Sequence, residues 1–497
     1  MIRLDSIRKP LSNRIVAWGR HSCLPRTSWP KAGKNACPTR FSDTVLVALI
    51  AAICLASQPA SAKDRYLLIW RDGSPSSIDE LPAWDAAGSN QAIGDRPLFD
   101  DERGIRAIVA TTPAPAQQPA EFVEFFGGDR LPGRAIGVRH DADSPSETSD
   151  LLIEPAAALM PNADSAAPLR VRTASIRRIV WQRRGSDRYV PATLWQRDGR
   201  QITFRSLRWT SEGVRLLLEA ETALVPLEQI AELHMPRQPA WEVWLDALAR
   251  LGGEKLSRIV QLETTTGLSI TSSNERITPV AGAAAPKRVM LRSQPAWSPE
   301  GVMIAVDDTV SQWYFAPYEV PLSSIEPIAS NSRHALGGAW GEAQRNRNVE
   351  GGRLASGGRE FAWGYGVHAE HELAFELHPL AIEFRTQMGL DALAGSGGCA
   401  RGVVSLTGAG DTNATELFRS PLVVGSASPV DTGWLKLPAA RSADARLLLV
   451  ADSAGDETPA GADPLDIRDI WDWLEPIVRL DREALRAELA RRSGPKN

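Results

Sequence analysis

The chain has 497 residues, 43% of them hydrophobic, and 56 basic side chains nearly balance 60 acidic ones. This length exceeds that of one ordinary hydrophobic core, and the apolar content excludes a chain that is disordered throughout. Three of the four cysteines lie before residue 62, so the remainder keeps only Cys399. An intrachain disulfide framework is therefore excluded there.

The first 62 residues have the composition of an export leader. They carry nine basic and two acidic side chains, and an apolar run over 45–56 is followed by Ala60-Ser61-Ala62. Because a signal peptidase reads small residues at these positions, we predict a signal peptide cleaved after Ala62. A buried N-terminal helix and an uncleaved signal anchor are the alternatives. No later segment reaches the ~20 apolar residues that span a bilayer, so we expect no membrane span after cleavage.

Removing this leader changes the charge of the chain. The remaining residues carry a formal charge of about −11. Because nucleic-acid binding depends on excess positive charge, this balance disfavours nucleic acid as a partner.

One apolar spacing recurs three times between residues 171 and 328. Each copy has an apolar residue, a second five positions on and a third three positions further. The copies are Val171 with Ile176 and Ile179, Val225 with Ile230 and Leu233, and Val320 with Ile325 and Ile328. Alternating segments and turn residues ahead of each copy indicate strands, and each copy is expected to close with a strand and a short helical turn.

The repeat predicts three related β units that precede the C-terminal third. Their expected bounds are 63–181, with a loop near 141–149, then 182–236, and 237–329, with a helical insert that ends at Gly252-Gly253. The tryptophans of this region either stack on sugars or fill the core, and we assign them mainly to the core. They are Trp70, Trp84, Trp181, Trp195, Trp209, Trp297 and Trp313. No motif within 63–325 indicates a functional site.

From about residue 340, glycine-rich loops separate short alternating segments. Leu373 to Leu377, for example, places apolar side chains on one face and Glu376 on the other, which is typical of a half-buried antiparallel strand. Strands at this spacing predict a β-sandwich over 330–481, followed by a helix or tail over 482–497. The predicted fold class is mainly β, with repeated small β units followed by a C-terminal sandwich.

A series of short motifs in this C-terminal region resembles the NPCBM family of carbohydrate-binding modules. The motifs are Trp340-Gly341, 344–349, Gly351-Gly352, 364–369, Gly389-Leu390-Asp391, 395–398, 452–456 and 469–473. The resemblance implies a galactose-binding-like β-sandwich, a jelly roll whose end loops bind glycans and which often holds a structural calcium ion. In the last motif, Ile470 and Trp471 stand where the family usually has a His, a departure that bears on sugar specificity.

The same region supplies side chains suited to sugars. Aromatic faces cover the C–H patches of a sugar, while planar polar groups and imidazoles bridge its hydroxyls. The candidate carbohydrate-binding residues are Trp340, Gln344, Arg345, Asn346, Trp363 and His368. For Trp340 and His368 the alternative is structural, as a plug of the sandwich end and as an imidazole hydrogen-bonded between strands.

Aspartates in glycine-rich turns make up the candidate metal ligands. Hard carboxylate oxygens in flexible loops suit calcium. The candidate ligands are Asp391, Asp452, Asp456, Asp469 and Asp472. The alternative is a solvated acidic rim that keeps the protein soluble.

The motifs favour a binding protein over an enzyme. Residues 364–369 match the letters of a dinucleotide-binding fingerprint, but a strand rather than a helix is predicted to follow. His368 and His371 would face opposite sides of an extended chain and would not share a zinc ion. The sequence contains no nucleophile elbow, Walker loop or C-x-x-C pair.

We therefore predict an exported, secreted or periplasmic, non-catalytic protein whose partner is a glycan or polysaccharide. Other cell-surface proteins are further candidate partners. Two alternatives stay open. One is a structural or adhesion protein whose sandwich binds protein, and the other is a glycoside hydrolase whose catalytic region lies unrecognised within 63–325.

Overall fold

A computed structural model describes residues 65–493 with short gaps. The gaps are 83, 86–90, 101, 112–118, 141–148, 157–158, 160–167, 185–187, 281–287, 335–336, 338–339, 409–413, 440–443 and 464. The predicted signal peptide and leader over 1–62 lie outside the described residues. Within the described part of the chain, no helix is long and apolar enough to cross a membrane.

The N-terminal part of the described chain, here called the body, consists of antiparallel strands. They are β1 (Tyr66–Trp70), β2 (Pro75–Ile78), β3 (Trp84–Asp85), β4 (Ala92–Ile93), β5 (Arg96–Pro97), β6 (Ile105–Ala110), β7 (Phe122–Phe125), β8 (Arg130–His140), β9 (Ser149–Pro155), β10 (Leu169–Arg172), β11 (Ile176–Val180), β12 (Thr193–Gln196), β13 (Gln201–Thr203), β14 (Ser206–Thr210), β15 (Gly213–Leu217), β16 (Thr222–Val225), β17 (Ile230–His234), β18 (Ile259–Thr264), β19 (Ser269–Val280), β20 (Arg288–Pro295), β21 (Val302–Ala305) and β22 (Thr309–Phe315).

The body is organised around strands that are covered on both faces. Strand β22 lies between β18 and β6, and all seven of its residues are buried. The separate three-stranded sheet of β14 to β16 is more exposed, since only Trp209 of β14 and Val225 of β16 are buried in its outer strands. The predicted core role of the tryptophans fits this arrangement. Those whose side chains are described, Trp70, Trp181, Trp195, Trp209, Trp297 and Trp313, are all buried.

Each copy of the repeated apolar spacing contains a 3₁₀ turn that follows a strand. The turns are Thr173–Ser175, Leu227–Gln229 and Leu322–Ser324. A further turn of this kind, Val306–Asp308, joins β21 to β22. The sequence pattern missed it because the two positions that are apolar in the other copies hold Thr309 and Gln312, which are nevertheless buried.

The C-terminal part forms the sandwich, built from two facing sheets. One contains β23 (Glu319–Pro321), β25 (Gln344–Arg345), β28 (Gly364–His368), β30 (Ala381–Leu390), β34 (Val430–Asp431), β35 (Leu435–Lys436) and β37 (Ile470–Leu480). The other contains β24 (Ala329–Ser332), β29 (His371–Glu376), β31 (Cys399–Thr407), β32 (Thr415–Arg419), β33 (Val423–Val424) and β36 (Arg446–Ser453). A small hairpin of β26 (Leu354–Ser356) and β27 (Arg359–Phe361) forms a separate two-stranded sheet that packs against Leu474 of β37.

Strand β37 is the central strand of its sheet. It pairs with β28 and β23 along one edge and with β30 along the other. Its Trp471 and Trp473 are fully buried between the sheets. Gly402 on β31 faces them, and a Cβ atom there would clash with Met388 and with Trp471. The sheets therefore meet closely at this point, where only glycine fits.

Two helices connect the sandwich to the body. Helix α1 (Ala240–Leu251) buries Trp244, Leu245 and Leu248 in the same hydrophobic cluster as sandwich residues. Helix α2 (Arg482–Ser493) adds two buried leucines to that cluster. This cluster also includes Trp313 and Phe315 of β22, so it spans the body and the sandwich, while a second cluster lies within the body alone. The prediction of a mainly β protein that ends in a sandwich is confirmed.

The buried leucines of α2 predict a stability contribution from the end of the chain. Leu489 is 2% exposed, so Leu489→Ala is expected to lower the free energy of unfolding by about 2–5 kcal/mol. Leu217 on β15 is 45% exposed, so Leu217→Ala should change it by about 0.5 kcal/mol or less. Urea unfolding of both variants measures the contrast. Equal effects would show that α2 does not dock as described.

Candidate functional site

The six candidate carbohydrate-binding residues fall into two places. Gln344, Arg345, Asn346 and Trp363 line one cavity of about 640 Å³, here called the central cavity. Trp340 and His368 instead contact each other at a loop end of the sandwich. The structure thus brings four of the six predicted residues together.

The central cavity lies between the body and the sandwich. The body supplies its wall from β7, β11, β18 and β19, and the sandwich supplies β25 and β28. Ser323 and Ser324, in the 3₁₀ turn after β23, also line it. Body residues thus form much of this wall, although no motif within 63–325 indicates a site.

Local backbone structure places the sandwich side of the wall. Gln344 and Arg345 pair with Gly366 and Tyr365 on β28. Asn346 then adopts a left-handed conformation with φ of 56°, which Asn tolerates better than most residues. Its side-chain oxygen accepts a hydrogen bond from the Gly364 N–H at 3.2 Å. The turn therefore ends the short strand and leaves the three polar side chains on the cavity.

The Trp363 side chain lies in an apolar environment, unlike the three polar candidate residues. It is 2% exposed and packs edge-on against Trp313 and Phe315, with ring centroids 4.4 and 4.9 Å away. Its indole is consequently part of the core behind the cavity wall. It does not offer an open face on which a sugar ring could stack.

A row of ion pairs crosses the cavity wall. Arg345 of the sandwich binds Glu326 at 2.5 Å, and Glu326 also binds Arg177 of the body at 2.7 Å. Arg177 reaches Glu124 at 2.9 Å, and Arg178 binds the same carboxylate at 2.6 Å. All five side chains are at least four-fifths buried. Here this alternating set is called the arginine–glutamate row.

The arginine charges of the row lower the pKa values of its two carboxylates, Glu124 and Glu326. Burial alone would raise the pKa of Glu326, but the charges of Arg345 and Arg177 outweigh it and lower the pKa. The same balance, with Arg178 as the strongest opposing charge, holds the pKa of Glu124 well below its usual range. Both carboxylates are therefore ionised at neutral pH.

A third acid on the wall, Asp129, is held differently. Its two oxygens accept hydrogen bonds from the Thr271 N–H, the Thr271 hydroxyl and the Trp297 indole at 2.7–2.8 Å. Burial raises its pKa to about 6, although these hydrogen bonds oppose the shift. Asp129 thus ties β19 to the loop after β20 within the body.

The other two candidate residues form a stacked aromatic contact. The His368 ring lies parallel to the Trp340 indole, with centroids 4.1 Å apart, and the His334 ring also lies 4.1 Å from the indole. The Trp340 N–H donates to Asp466 at 2.9 Å. Burial lowers the pKa of His368, with Asp466 opposing the shift. His368 therefore covers part of the indole and restricts the face available to a sugar.

The candidate metal ligands do not gather around one point. Asp391 and Asp472 are fully buried and both accept from the Ala355 N–H at 3.2 Å. Asp469 accepts from the Cys399 N–H at 2.7 Å, and Asp452 lies 3.8 Å from Arg419. The described side chains include no group of three or more acids, histidines or cysteines placed to hold a metal ion.

The side chain of Asp456 lies outside the described residues. The five aspartates do not fit a single site as a set, and the calcium prediction stays a prediction. A structural ion predicts a melting temperature that falls in EDTA and returns with added calcium but not with magnesium. Identical melting temperatures in EDTA and in calcium would refute it. Thermal unfolding of the full chain followed by circular dichroism provides the measurement.

The main residues missed in the sequence are the arginines of the body. Arg177 and Arg178 lie within β11, whose five residues are all buried. Two adjacent arginines in an apolar strand were the available signal, because buried charges require partners. Their partners could not be read from the pattern, since Glu326 lies 149 residues from Arg177.

Comparison with known proteins identifies the class of the C-terminal part. Residues 319–463 match the family model of the NPCBM/NEW2 domain. The match begins at the first residue of β23. The resemblance found in the motifs is confirmed for this part of the chain. A search of curated proteins finds no match to the chain.

Several solved structures resemble the fold at low identity. A CBM51 from Clostridium perfringens GH95, in complex with methyl-galactose, covers 32% of this chain and 99% of its own at 17% identity, with a TM-score of 0.25. CBM51-2 with INT domains from Clostridium perfringens ZmpB, in complex with GlcNAc, covers 44% and 40% at 16% identity, with a TM-score of 0.26. The CBM22-1-CBM22-2 tandem from Paenibacillus barcinonensis Xyn10C covers 74% and 100% at 9% identity, with a TM-score of 0.21. The assignment of the C-terminal part rests on the family match.

The arginine–glutamate row predicts a pH-dependent contribution to stability. Glu326→Gln leaves buried arginines without their carboxylate, so it should lower the free energy of unfolding at pH 7 by about 3–5 kcal/mol. Because the native pKa of Glu326 is lowered, its stabilisation is complete above about pH 4.5 and is lost as pH falls further. The difference between variant and wild type should therefore shrink below pH 4.5.

A matched control is available on the surface of the sandwich. Glu360 pairs with Arg353 at 2.8 Å, but its side chain is 59% exposed. Glu360→Gln should cost at most about 1 kcal/mol at either pH. Urea unfolding between pH 3 and pH 7 compares the two variants. A pH-independent effect of Glu326→Gln would contradict the predicted role of its ionised form.

Proposed function

We propose that the protein is an exported, non-catalytic carbohydrate-binding protein that holds a glycan or polysaccharide in the central cavity. One observation carries this proposal. The NPCBM/NEW2 domain supplies the wall that contains Gln344, Arg345 and Asn346, three residues whose types suit sugar hydroxyls. Body residues complete the cavity.

The chemistry of the wall supports saccharide binding. Amide and guanidinium groups are planar and offer several donors, and an amide also accepts, so each can bridge two neighbouring hydroxyls. The volume of about 640 Å³ lies within the ~300–1,000 Å³ that small-molecule sites typically occupy. Among the described residues, the Gln344 side chain bonds only a nearby backbone carbonyl, that of Glu342 at 3.2 Å, and can exchange this contact for a ligand.

The ionisation of the cavity acids supports a non-catalytic role. A glycosidase needs one carboxylic acid that stays protonated near neutral pH. Glu124 and Glu326 have lowered pKa values and are bound to arginines. Asp129, with a pKa of about 6, is engaged through both oxygens in hydrogen bonds with Thr271 and Trp297. None of these three acids is placed to serve as a general acid, and the other two acids of the lining, Glu263 and Glu342, are paired with Arg347 and Arg188.

The proposal of export rests on the leader. The basic residues before 45, the apolar run over 45–56 and the small residues at 60–62 have the order of a signal peptide. A mature protein from which this segment is absent, found by sequencing the N-terminus of the secreted or periplasmic form, is the expected result.

A glycan array probed with the full chain tests carbohydrate binding. We expect at least one glycan class to bind, and Gln344→Ala to weaken its binding about fivefold or more through loss of hydrogen bonds. Gln387→Ala on β30, outside the cavity, is the matched control and should bind like wild type. An array without any bound glycan, or two variants with equal affinity, would refute the proposal.

A further inference from the structure

A second, smaller cavity adjoins the central one within the body. It has a volume of about 160 Å³ and is here called the side cavity. Helix α1, the turn Thr173–Ser175 and the chain at Trp297 contribute to its lining. It shares three lining residues with the central cavity, Gly127, Asp129 and Thr271. The two cavities therefore meet at a common wall.

The walls of the side cavity are mainly apolar and aromatic. Val243 and Trp244 line it from helix α1, and Phe125 and Trp297 line it from the rest of the body. The Phe125 and Trp297 rings are stacked, with centroids 4.6 Å apart and planes 6° from parallel. An apolar cavity of about 150 Å³ is large enough to bind benzene. The side cavity can therefore hold a ligand of about that size.

One carboxylate belongs to this otherwise apolar lining. Asp129 is 6% exposed, and its hydrogen-bond partners are all uncharged: the Thr271 N–H, the Thr271 hydroxyl and the Trp297 indole. No charged residue among those that the structure describes opposes the effect of burial on its pKa, which rises to about 6. At pH 7 the carboxylate is still mostly ionised. A buried charge without a counter-ion costs free energy, which a bound cation would recover.

The other charged residues of the lining lie at the mouth of the side cavity. Glu242 and Asp246 have side chains that are 58% and 50% exposed, and each binds Arg492 at 2.7 Å. Arg250 is exposed as well. Water screens charges in such positions. Among the described lining residues, Asp129 is therefore the one acid that is buried without a positively charged partner.

We propose that the side cavity binds a small organic cation, an ammonium ion with methyl or aryl groups, whose charge is balanced by Asp129. The rings of Trp244, Trp297 and Phe125 surround the ligand. Aromatic rings attract cations through the negative potential of their faces, and indole does so most strongly. This site is separate from that of the proposed glycan and does not depend on it.

The two features of the cavity together narrow the ligand class. Apolar walls alone would suit a neutral hydrocarbon, and a single carboxylate cannot replace the several oxygen ligands of a hydrated metal ion. An organic ammonium ion fits both features. Its methyl or aryl groups fill the apolar space, while its charge lies near Asp129.

Titration calorimetry on the full chain at pH 7 tests the ligand class. The probes are choline and benzylammonium, each compared with a neutral molecule of nearly the same shape. These neutral counterparts are 3,3-dimethyl-1-butanol and benzyl alcohol. We expect at least one cation to bind about tenfold or more tightly than its counterpart, because only the cation gains from Asp129 and from the ring faces.

A cavity-filling variant and its control assign the binding to the side cavity. Ala247 of helix α1 is half-buried and lines the cavity, so Ala247→Leu should occupy part of the space and weaken cation binding about tenfold or more. Leucine is a good helix former, so the helix should persist. Ala487→Leu on the exposed side of α2, outside the cavity, is the matched control and should bind like wild type.

A second variant tests the role of the charge. Asp129→Asn keeps the shape of the side chain but removes its charge, and should reduce the preference for the cation over its neutral counterpart to about twofold or less. Circular dichroism checks that this variant is folded. If it is not, the comparison of Ala247→Leu with Ala487→Leu still decides whether the cation occupies the side cavity.

The contrary results are equally specific. Equal affinities for each cation and its neutral counterpart would overturn the selectivity for a cation. Cation binding that is unchanged by Ala247→Leu would place the ligand elsewhere and overturn the site. The absence of binding by both cations would overturn the inference as a whole, whereas the proposed glycan binding is tested separately by the array.

Discussion

The rest of the cavity depends on one constraint, the pairing of buried charge along the arginine–glutamate row. A guanidinium of the sandwich and two of the body meet on two carboxylates, each of which touches two of them. Removing any one of these side chains would leave a buried charge without its counter-ion. The free-energy cost of such an unpaired ion is far larger than the net stabilisation from the intact pair. The row therefore fixes how the sandwich presents β25 to the body, and with it the shape of the wall.

The hydrophobic core reinforces the same arrangement on the other side. Trp313 and Phe315 at the end of β22 pack against Trp363 of the sandwich, and helix α1 buries its apolar face in the cluster that the sandwich also fills. The domain is consequently not attached through a flexible linker. Ion pairs give the junction directional specificity, while apolar burial supplies most of its free energy.

Much of the fold could be predicted because it follows from short-range patterns. Alternation from Leu373 to Leu377 corresponds to β29, and the recurring apolar spacing marks turns that the structure confirms as 3₁₀ turns. The copy at β21 and β22 escaped notice because Gln312 is buried through a hydrogen bond with Tyr314 at 2.9 Å, so a polar residue occupies an apolar position. The candidate site could be predicted from the sequence only in part. The motifs indicated its sandwich wall, but the body wall depends on ion-pair partners far apart in sequence, which hydrophobic periodicity does not encode.

The position of β37 has a consequence for the order of folding. This strand follows all other strands of the sandwich in sequence, yet it lies between β28 and β30 and also pairs with β23. Until it arrives, the strands on its two sides have no neighbour in common and their backbone groups stay open to water or to other chains. The sandwich therefore cannot assemble progressively during synthesis. It closes in a late step that joins residues more than a hundred positions apart, which is the kind of topology that folds slowly.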